Sequence, residues 1–316
     1  MLLREFGPPE RLIAEQVPDP VAGRGQVLVS VEFANITYVE TQVRAGSPPH
    51  PSMRPALPAV LGNGVGGVVS TVGAGVDGAL VGRRVVTATG GSGGYAEQVA
   101  VEADALIDVP EELPLANAVA LMADGRTAIG LVDLAAVHPG DTVLVEAAAG
   151  GVGSLLVQLA HNAGATVVGV AGGARKVDLV RAIGADIAVD YSQPGWTRQV
   201  ADAGSVSVVF DGVGGDIGAA SYGLLADGGR FVPYGMASGE FTAIPDDDRE
   251  RRHIAVLRSP MRDPAELRDL TRRALTEASA GRLAPVIGQT FPLDRAAAAH
   301  AAITARETIG KTLLVI

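Results

Sequence analysis

The chain has 316 residues, 47% of them hydrophobic and 19% charged, which supplies enough apolar material for buried cores and a length typical of two domains. The formal net charge of −10, with no basic stripe against it, argues against nucleic acid or an anionic membrane as a partner. Cysteine is absent, which excludes disulfides, thiolate catalysis and thiolate zinc sites. The start lacks a signal-peptide pattern and no run of about 18 apolar residues occurs, so we expect a soluble, cytoplasmic protein.

The first 120 residues predict a compact, barrel-like β domain. Glycine and proline punctuate every gap between short β-rich runs, and no helical segment of comparable length separates them. The predicted strands are Val27 to Phe33, Gly62 to Val72, Val81 to Thr87 and Tyr95 to Val101. A domain boundary is expected near Met122.

Beyond this boundary, strands and helices alternate. Helical segments such as Lys176 to Ile183 and Ile217 to Leu225 lie between most of the β-rich runs, which is the pattern of a parallel doubly wound sheet. The predicted strands are the apolar run that begins at Val143, then Thr166 to Val170, Ile187 to Val189, Val206 to Phe210, Arg230 to Tyr234 and His253 to Leu257. A helix over Pro264 to Gly281 and a terminal strand over Lys311 to Ile316 complete the chain.

A glycine-rich turn follows the first strand of this second region. The sequence from Val143 to Gly153 is an apolar run that breaks at Gly150-Gly-Val-Gly153 and continues as an amphipathic helix. Gly150 would let the backbone approach a pyrophosphate, and Gly153 would let the helix pack tightly on the strand. Ala148 stands at the first glycine of Gly-x-Gly-x-x-Gly, so the strand-turn-helix context carries the interpretation as a dinucleotide-binding turn.

These segments resemble a known family, the zinc-independent quinone oxidoreductase (zeta-crystallin-like) branch of the medium-chain dehydrogenase/reductase superfamily. The resemblance covers nearly the whole chain. Its carriers are Gly7-Pro-Pro-Glu10, Thr41 to Gly46, Gly62 to Gly67, Gly75 to Gly78, Gly82 to Val86, Gly125 to Ala128, Ala147 to Gly153, Gly184 to Tyr191, Phe210 to Gly215 and Gly310 to Leu314.

The resemblance implies an α/β protein with two domains. Residues 1–121 and 261–316 would form a GroES-like β-barrel catalytic domain, and residues 122–260 a Rossmann domain with a doubly wound parallel six-stranded sheet. The expected cofactor-binding residues are Thr127, Ala148, Gly150, Gly151, Val152, Gly153, Gly172, Gly173, Lys176, Tyr191, Gly212, Val213, Tyr234, Gly235, Arg258 and Arg306.

The residue types argue against a metal site. Zinc-dependent relatives carry an early Cys ligand and a Gly-His-Glu segment, whereas this chain has Ala34 to Glu40 and Gly62-Asn-Gly64 in those places. The five histidines have no paired spacing, and only His50, in a proline-rich loop, is a candidate for the substrate site. Without a metal to activate an alcohol, we expect reduction of an electrophilic carbon.

The expected cofactor is NADPH. An NAD-preferring turn usually places Asp or Glu at the end of the second strand, but this chain has Gly172-Gly-Ala-Arg-Lys176 there. By resemblance, Lys176, Tyr191 and Arg306 match positions that bind the 2′-phosphate, and Arg175 is a further cation. A phosphate partner would explain cations at a helix start, where the helix dipole opposes them.

Two catalytic candidates lie in the segment Asn35 to Tyr38. Thr37 stands where quinone reductases usually have Asn, so its hydroxyl would replace an amide as donor to the substrate carbonyl oxygen. Tyr38 would stack on nicotinamide or donate its phenol proton, with a packing aromatic as the alternative. We expect Tyr38→Phe to lower turnover less than about tenfold and loss of the Thr37 hydroxyl to cost more, with water supplying the final proton.

Alternative functions remain open at this point. The first hypothesis is an NADPH-dependent reductase of quinones or other α,β-unsaturated carbonyl compounds, and the second is a noncatalytic, crystallin-like NADPH-binding protein. Within the enzyme class, the alternative is an enoyl-thioester reductase or a natural-product tailoring enoyl reductase, although Ser47 to Pro55 lacks the Tyr of mitochondrial-type enoyl reductases. The apolar edge strand at residues 253–258 predicts a homodimer.

Overall fold

The computed structural model describes all 316 residues. The chain divides into two compact units: the first comprises Met1–Ala123, Ala274–Ser279 and Pro285–Ile316, and the second comprises Asp124–Arg273 and Ala280–Ala284. Residues 261–273, which the sequence-based boundary assigns to the catalytic domain, belong to the second unit in this division.

The regular elements are numbered here in chain order. The strands are β1 (Leu2–Leu3), β2 (Leu12–Ile13), β3 (Gln26–Ile36), β4 (Ala59–Val60), β5 (Gly64–Val72), β6 (Arg84–Ala88), β7 (Gln98–Glu102), β8 (Ile107–Asp108), β9 (Thr142–Val145), β10 (Thr166–Ala171), β11 (Ile187–Asp190), β12 (Val206–Asp211), β13 (Leu225–Pro233), β14 (Ala255–Val256), β15 (Ile287–Pro292) and β16 (Lys311–Val315). The α-helices are α1 (Tyr38–Ala45), α2 (Leu115–Ala135), α3 (Gly151–Asn162), α4 (Ala174–Ala182), α5 (Trp196–Ala201), α6 (Gly215–Leu224), α7 (Asp246–Arg251), α8 (Pro264–Ser279) and α9 (Ala296–Thr304).

The first unit is built around the long strand β3. This strand pairs antiparallel with β16, β5 and β7 in a seven-stranded sheet of order β15-β16-β3-β5-β6-β8, and a three-stranded sheet has the order β2-β1-β4. Val27, Val29 and Val31 alternate along β3 and are buried in the unit's apolar core. Period-two alternation of apolar residues thus gives the β domain that the sequence predicts.

Three of its strands begin later than predicted, and the first of these is β5, which starts at Gly64 rather than Gly62. The segment before β6 is a short 3-10 turn over Gly78–Leu80, followed by Gly82 at φ +86°, so the strand starts at Arg84 rather than Val81. The strand after it starts at Gln98 rather than Tyr95, because Tyr95 is fully buried in the core instead of pairing within β7. Turn glycines in the left-handed region end the extended conformation in the case of β6.

The second unit contains the predicted six-stranded parallel sheet. Its strand order is β11-β10-β9-β12-β13-β14, and every neighbouring pair is parallel. The crossover between β9 and β12, which adjoin in the sheet but not in the chain, makes the topological switch point of a doubly wound fold. The last strand is shorter than predicted: His253 takes φ +53° after α7, so β14 contains only Ala255 and Val256.

One helix, α2, is long and apolar enough to cross a membrane by length and composition alone. In the structure, 67% of its most apolar window is buried inside the protein, which is the pattern of a core helix.

Candidate dinucleotide site and catalytic residues

The carboxyl ends of the parallel strands bring most of the predicted cofactor residues to one edge of the second unit. Ala148 to Gly153 follow β9, Gly172 to Lys176 follow β10, and Tyr191 follows β11. Gly212 and Val213 follow β12, and Tyr234 and Gly235 follow β13. Ligands of doubly wound sheets bind at this edge, beside the switch point.

The glycine turn after β9 is shaped for an anion. Ala147 takes φ +48°, and Gly150 is the N-cap of α3 with no side chain bonded to the first turn. The helix begins at Gly151, within the glycine turn, whereas the sequence predicts it only after Gly153. A Cβ on Gly153 would lie 2.2 Å from the Ala147 carbonyl oxygen, so only glycine lets α3 pack this closely on the turn. The N–H groups of the first turn have no intrahelical acceptor and are free for a phosphate.

A second turn, after β10, is held by an aspartate at the end of β11. Asp190 Oδ1 accepts hydrogen bonds from Gly173 N at 3.0 Å, Ser192 N at 2.9 Å and Ser192 Oγ at 2.6 Å. The bond from Gly173, reinforced by those from Ser192, lowers the pKa of Asp190. Asp190 is therefore committed to bracing the turn and is not the ribose-binding carboxylate that an NAD-preferring site would place at the end of β10.

The cations of this turn lie beside the braced backbone. Lys176 is half-buried in the first turn of α4, and Arg175 next to it is exposed. The Tyr191 ring lies 3.2 Å from where a Cβ on Gly172 would stand, so the ring covers the start of the turn. Gly172 and Tyr191 therefore lie together at one corner of the edge, and Lys176 follows them in the first turn of α4.

A buried acid pair that we did not predict from the sequence lies at the centre of the edge. Glu146 directly follows β9 and Asp211 is the last residue of β12, and both side chains are fully buried. Val213 N donates to Glu146 Oε2 and to Asp211 Oδ1, each at 3.1 Å, while Asp211 also accepts from Gly214 N at 2.7 Å and Thr242 Oγ1 at 2.7 Å. Burial, with the charge and hydrogen bond of Asp211, raises the pKa of Glu146 well above its ordinary value.

This pair fixes the loop that carries Gly212 and Val213. Glu146 Oε1 is buried without a hydrogen bond of normal geometry, although the Ser221 hydroxyl lies close to the carboxyl, and this fits a protonated carboxyl that donates to Asp211. Tyr234 closes the cluster from the next strand by donating from its hydroxyl to the Glu146 carbonyl oxygen at 2.9 Å. Burial, with Glu146 and Asp211 nearby, raises the pKa of Tyr234 well above 10.0, so it stays a neutral phenol.

The remaining predicted cofactor residues are more scattered. Thr127 is half-buried on α2, and Arg258 is exposed two residues after β14, both in the second unit. Arg306 belongs to the first unit, where it follows α9 with φ +59°. Thr37 and Tyr38 also belong to the first unit.

Thr37 is held in a capping box at the start of α1. Its Oγ1 accepts from Glu40 N at 3.3 Å and lies 3.2 Å from Glu40 Oε2, and its backbone N–H donates to Glu40 Oε2 at 2.6 Å. The spacing Thr37-x-x-Glu40 is the sequence signature of a capping box, although we did not predict the capping box from it. Glu40 also accepts from Asn63 N at 2.8 Å, so one carboxyl joins α1 to the turn before β5.

Glu40 is part of a buried polar group in the first unit. Burial raises its pKa, against hydrogen bonds from Thr37 and Asn63 and the charge of Lys311. The Tyr95 hydroxyl and His300 Nε2 form a hydrogen bond of 3.1 Å. Burial, together with the charge of Arg44, lowers the pKa of His300 to about 3. His300 is therefore a neutral core residue. Tyr38, by contrast, begins α1 with 41% of its surface exposed and no hydrogen bond to its hydroxyl.

The histidines do not gather. His50 caps the 3-10 turn Pro51–Met53, with Nδ1 2.7 Å from Ser52 Oγ in an exposed loop. No group of three or more His, Asp or Glu side chains is placed to hold a metal ion. The position of the Gly-His-Glu segment holds Asn63, whose Oδ1 accepts from Gly91 N at 2.7 Å.

A Rossmann unit with an anion-binding turn, joined in one chain to a β unit with a short capped helix, defines a dehydrogenase or reductase of the two-domain dinucleotide-dependent class. Comparison with known proteins narrows this class. The family model for the "Alcohol dehydrogenase GroES-like domain" matches residues 23–111, and the one for "Zinc-binding dehydrogenase" matches residues 183–314.

Full-length relatives agree with these matches. The 2-haloacrylate reductase of a Burkholderia species is 32% identical over 99% of this chain and 97% of its own length. The quinone oxidoreductase of Pseudomonas aeruginosa is 30% identical over 98% of this chain and 97% of its own. The structure of Escherichia coli quinone oxidoreductase complexed with NADPH has a TM-score of 0.89 at 28% identity and covers 100% of this chain and 99% of that one. The chain belongs to the quinone oxidoreductase branch of the medium-chain dehydrogenase/reductase superfamily.

Proposed function

We propose that the protein is an NADPH-dependent, zinc-independent reductase that delivers a hydride to a quinone or another α,β-unsaturated carbonyl compound. The observation that carries the proposal is the edge of the six-stranded sheet, where an uncapped helix N-terminus lies beside a turn that has Lys176 and no carboxylate. The E. coli relative was solved with NADPH on the same fold, which supports the choice of cofactor.

The residues of the second unit fit NADPH. The first turn of α3 offers backbone N–H groups to the pyrophosphate. Because Gly153 packs closely against Ala147, no side chain stands at this position. Lys176 and Tyr191 in this unit, with Arg306 in the other, are the proposed partners of the 2′-phosphate. The turn carrying Val213, fixed by Glu146 and Asp211, lies at the switch point where the nicotinamide half of a dinucleotide binds.

When bound, NADPH supplies a hydride to the electron-poor carbon of the acceptor, and negative charge then develops on the carbonyl oxygen. A hydrogen-bond donor at that oxygen stabilises the charge. Thr37 and Tyr38 are the proposed donors. The Thr37 hydroxyl is already bonded to Glu40, whereas the Tyr38 phenol is exposed and unbonded. The Tyr38 hydroxyl is therefore available for a hydrogen bond to a ligand, whereas the orientation of the Thr37 hydroxyl is set by its hydrogen bond to Glu40.

The test is NADPH oxidation, followed at its near-ultraviolet absorbance, with a panel of quinones and enones. We expect turnover with at least one class and none with saturated alcohols and NADP⁺. Binding of NADPH without oxidation by any acceptor would favour the noncatalytic alternative. Activity is also expected to survive exhaustive chelation, and stoichiometric zinc in active protein would refute the zinc-independent part.

An unsaturated acid is a second acceptor class, favoured by one observation. The Burkholderia relative is named a 2-haloacrylate reductase, and a haloacrylate is an α,β-unsaturated carboxylate. The enoyl-thioester and natural-product alternatives have no corresponding feature in the structure.

We further propose a cytoplasmic homodimer. The edge strand β14 leaves one side unpaired in the sheet, and Met261 just beyond it is 99% exposed, an apolar side chain that a second copy would cover. Val256→Pro, which removes a backbone donor at this edge, should shift sedimentation from dimer to monomer. A wild-type monomer at micromolar concentration would contradict the proposal.

A further inference from the structure

The second unit contains a small cavity with two arginines in its wall. Its volume is about 110 Å³, and its lining comes from α2, from the segment after β14 and from α8. The lining residues are Arg126, Thr127, Gly130, Ser259, Pro260, Arg262, Leu267 and Leu270. No carboxylate is among them.

Arg126 and Arg262 both line this cavity. Neither Arg126 nor Arg262 makes a hydrogen bond or an ion pair with the rest of the chain. Burial lowers the pKa of Arg126, with Asp124 as the acid that opposes the shift. A Cβ on Gly130, one helical turn after Arg126, would lie 3.4 Å from Arg262 Nη2, so Arg262 lies against the same face of α2.

A partly desolvated guanidinium with no direct ion-pair partner is costly, and an anion in contact with it reduces that cost. Planar guanidinium groups bind carboxylates through paired hydrogen bonds. The remaining wall suits the carbon skeleton of a short acid, because Leu267 and Leu270 are apolar. Thr127, which also lines the cavity, is one of the proposed cofactor-binding residues, so the cavity adjoins the proposed cofactor site.

We propose that this cavity binds the carboxylate of the substrate, so that small α,β-unsaturated carboxylic acids are the preferred acceptors. The inference rests on the proposed reductase function. Hydride would add to the carbon β to the carboxylate, the electron pair of the double bond would move onto the carboxylate as an enediolate, and a proton from water would finish at the α carbon while NADPH becomes NADP⁺. Arg126 and Arg262 would stabilise the additional charge on the carboxylate oxygens.

The experiment compares 2-chloroacrylate with its uncharged amide, 2-chloroacrylamide, at saturating NADPH. The quantity measured is the ratio of kcat/KM for the acid to kcat/KM for the amide. Each of Arg126→Gln and Arg262→Gln is expected to lower this ratio about ten- to a hundredfold, since a hydrogen bond to a charged group is worth about 1.5 to 3 kcal/mol. Arg272→Gln removes the same charge from an exposed position on α8 that is paired with Asp269, and should leave the ratio within about threefold of wild type.

A binding measurement separates this inference from the proposed function. Isothermal titration of the NADP⁺-loaded enzyme with 2-chloropropanoate, the reduced product, should show saturable binding that Arg126→Gln and Arg262→Gln weaken by a similar factor. An unchanged acid-to-amide ratio in both variants, with quinone reduction intact in wild type, would overturn the carboxylate site and leave the proposed function standing. Inorganic phosphate competing as well as the carboxylate would also overturn it. No NADPH oxidation with any acceptor, despite product binding, would instead remove the reductase function.

Discussion

Replacing Glu146 by glutamine should change how the stability of the protein depends on pH. Glu146 is fully buried, it accepts from Val213 N at 3.1 Å, and burial and Asp211 raise its pKa well above 4.5. Glutamine has the same shape, accepts from Val213 through its carbonyl oxygen and donates to Asp211 through its amide. Glu146→Gln therefore keeps the hydrogen bonds of the neutral acid and removes only its ability to ionise.

The magnitude follows from proton linkage. As the pH rises above 4.5, the unfolded chain releases the Glu146 proton while the folded protein retains it. The stabilisation from this group is thus complete below that pH and is lost as the pH rises towards the raised folded pKa, by about 1.4 kcal/mol per pH unit. Glutamine carries no such dependence. The difference in unfolding free energy, variant minus wild type, should therefore become more positive by about 1.4 kcal/mol per pH unit within this window.

Urea unfolding, followed by circular dichroism at several pH values from about 5.5 to 7.0, measures this slope. Glu250→Gln is the matched control, because Glu250 is 73% exposed on α7 and its removal should leave the pH dependence unchanged. Parallel stability curves for wild type and Glu146→Gln would refute the reasoning, as would a variant that loses stability relative to wild type as the pH rises.

Three further substitutions test other parts of the structure. Lys176→Ala should weaken NADPH binding about ten- to a hundredfold and leave NADH binding nearly unchanged, measured by fluorescence titration, and equal losses for both cofactors would contradict a phosphate contact. Gly153→Ala should abolish tight NADPH binding or folding, because the new Cβ would meet the Ala147 carbonyl oxygen at 2.2 Å, and a normal dissociation constant would refute the close packing. Thr37→Val should destabilise the protein by about 1 kcal/mol through loss of the helix cap and reduce turnover more than Tyr38→Phe, whose loss should stay below about tenfold. A Tyr38→Phe enzyme that is nearly inactive but binds NADPH normally would make Tyr38 the acid.

The parallel sheet was predictable because buried strands and glycine turns leave strong local signals. The apolar run before Gly150 and the alternation after it fix β9, α3 and the strands that follow to within a few residues. The prediction failed where a single backbone conformation decides the boundary. His253 at φ +53° shortens the last strand to Ala255 and Val256. Histidine is enriched among residues of positive φ, but this conformation is uncommon even for histidine, so the sequence does not predict it at this position.

The candidate site was less predictable, because its polar groups acquire their roles only through folding. Glu146 follows β9 and Asp211 ends β12, two strands that are distant in the chain but adjacent in the sheet. An acidic residue at such a position is ordinarily exposed to solvent, so its burial could not be predicted. Arg126 and Arg262 meet at one cavity through the packing of α2 and the segment after β14. Thr37 and Glu40 are the exception, since three-residue spacing within one helix start is a local signature.

Burial and pairing divide the polar groups of the second unit into two kinds. Asp190, Asp211 and Glu146 each accept at least one hydrogen bond from a backbone N–H and hold the turns around the edge of the sheet. These carboxyl groups are occupied by hydrogen bonds within the fold, so they add little attraction or repulsion for a ligand. Arg126 and Arg262 make no hydrogen bond or ion pair with the rest of the chain, and for Arg126 only the nearby charge of Asp124 opposes the effect of burial. The fold thus satisfies these acids internally but leaves two arginines at the wall of one cavity, an arrangement that favours negative charge there. For this reason we assign the cavity to an anionic group of the substrate rather than to structural support.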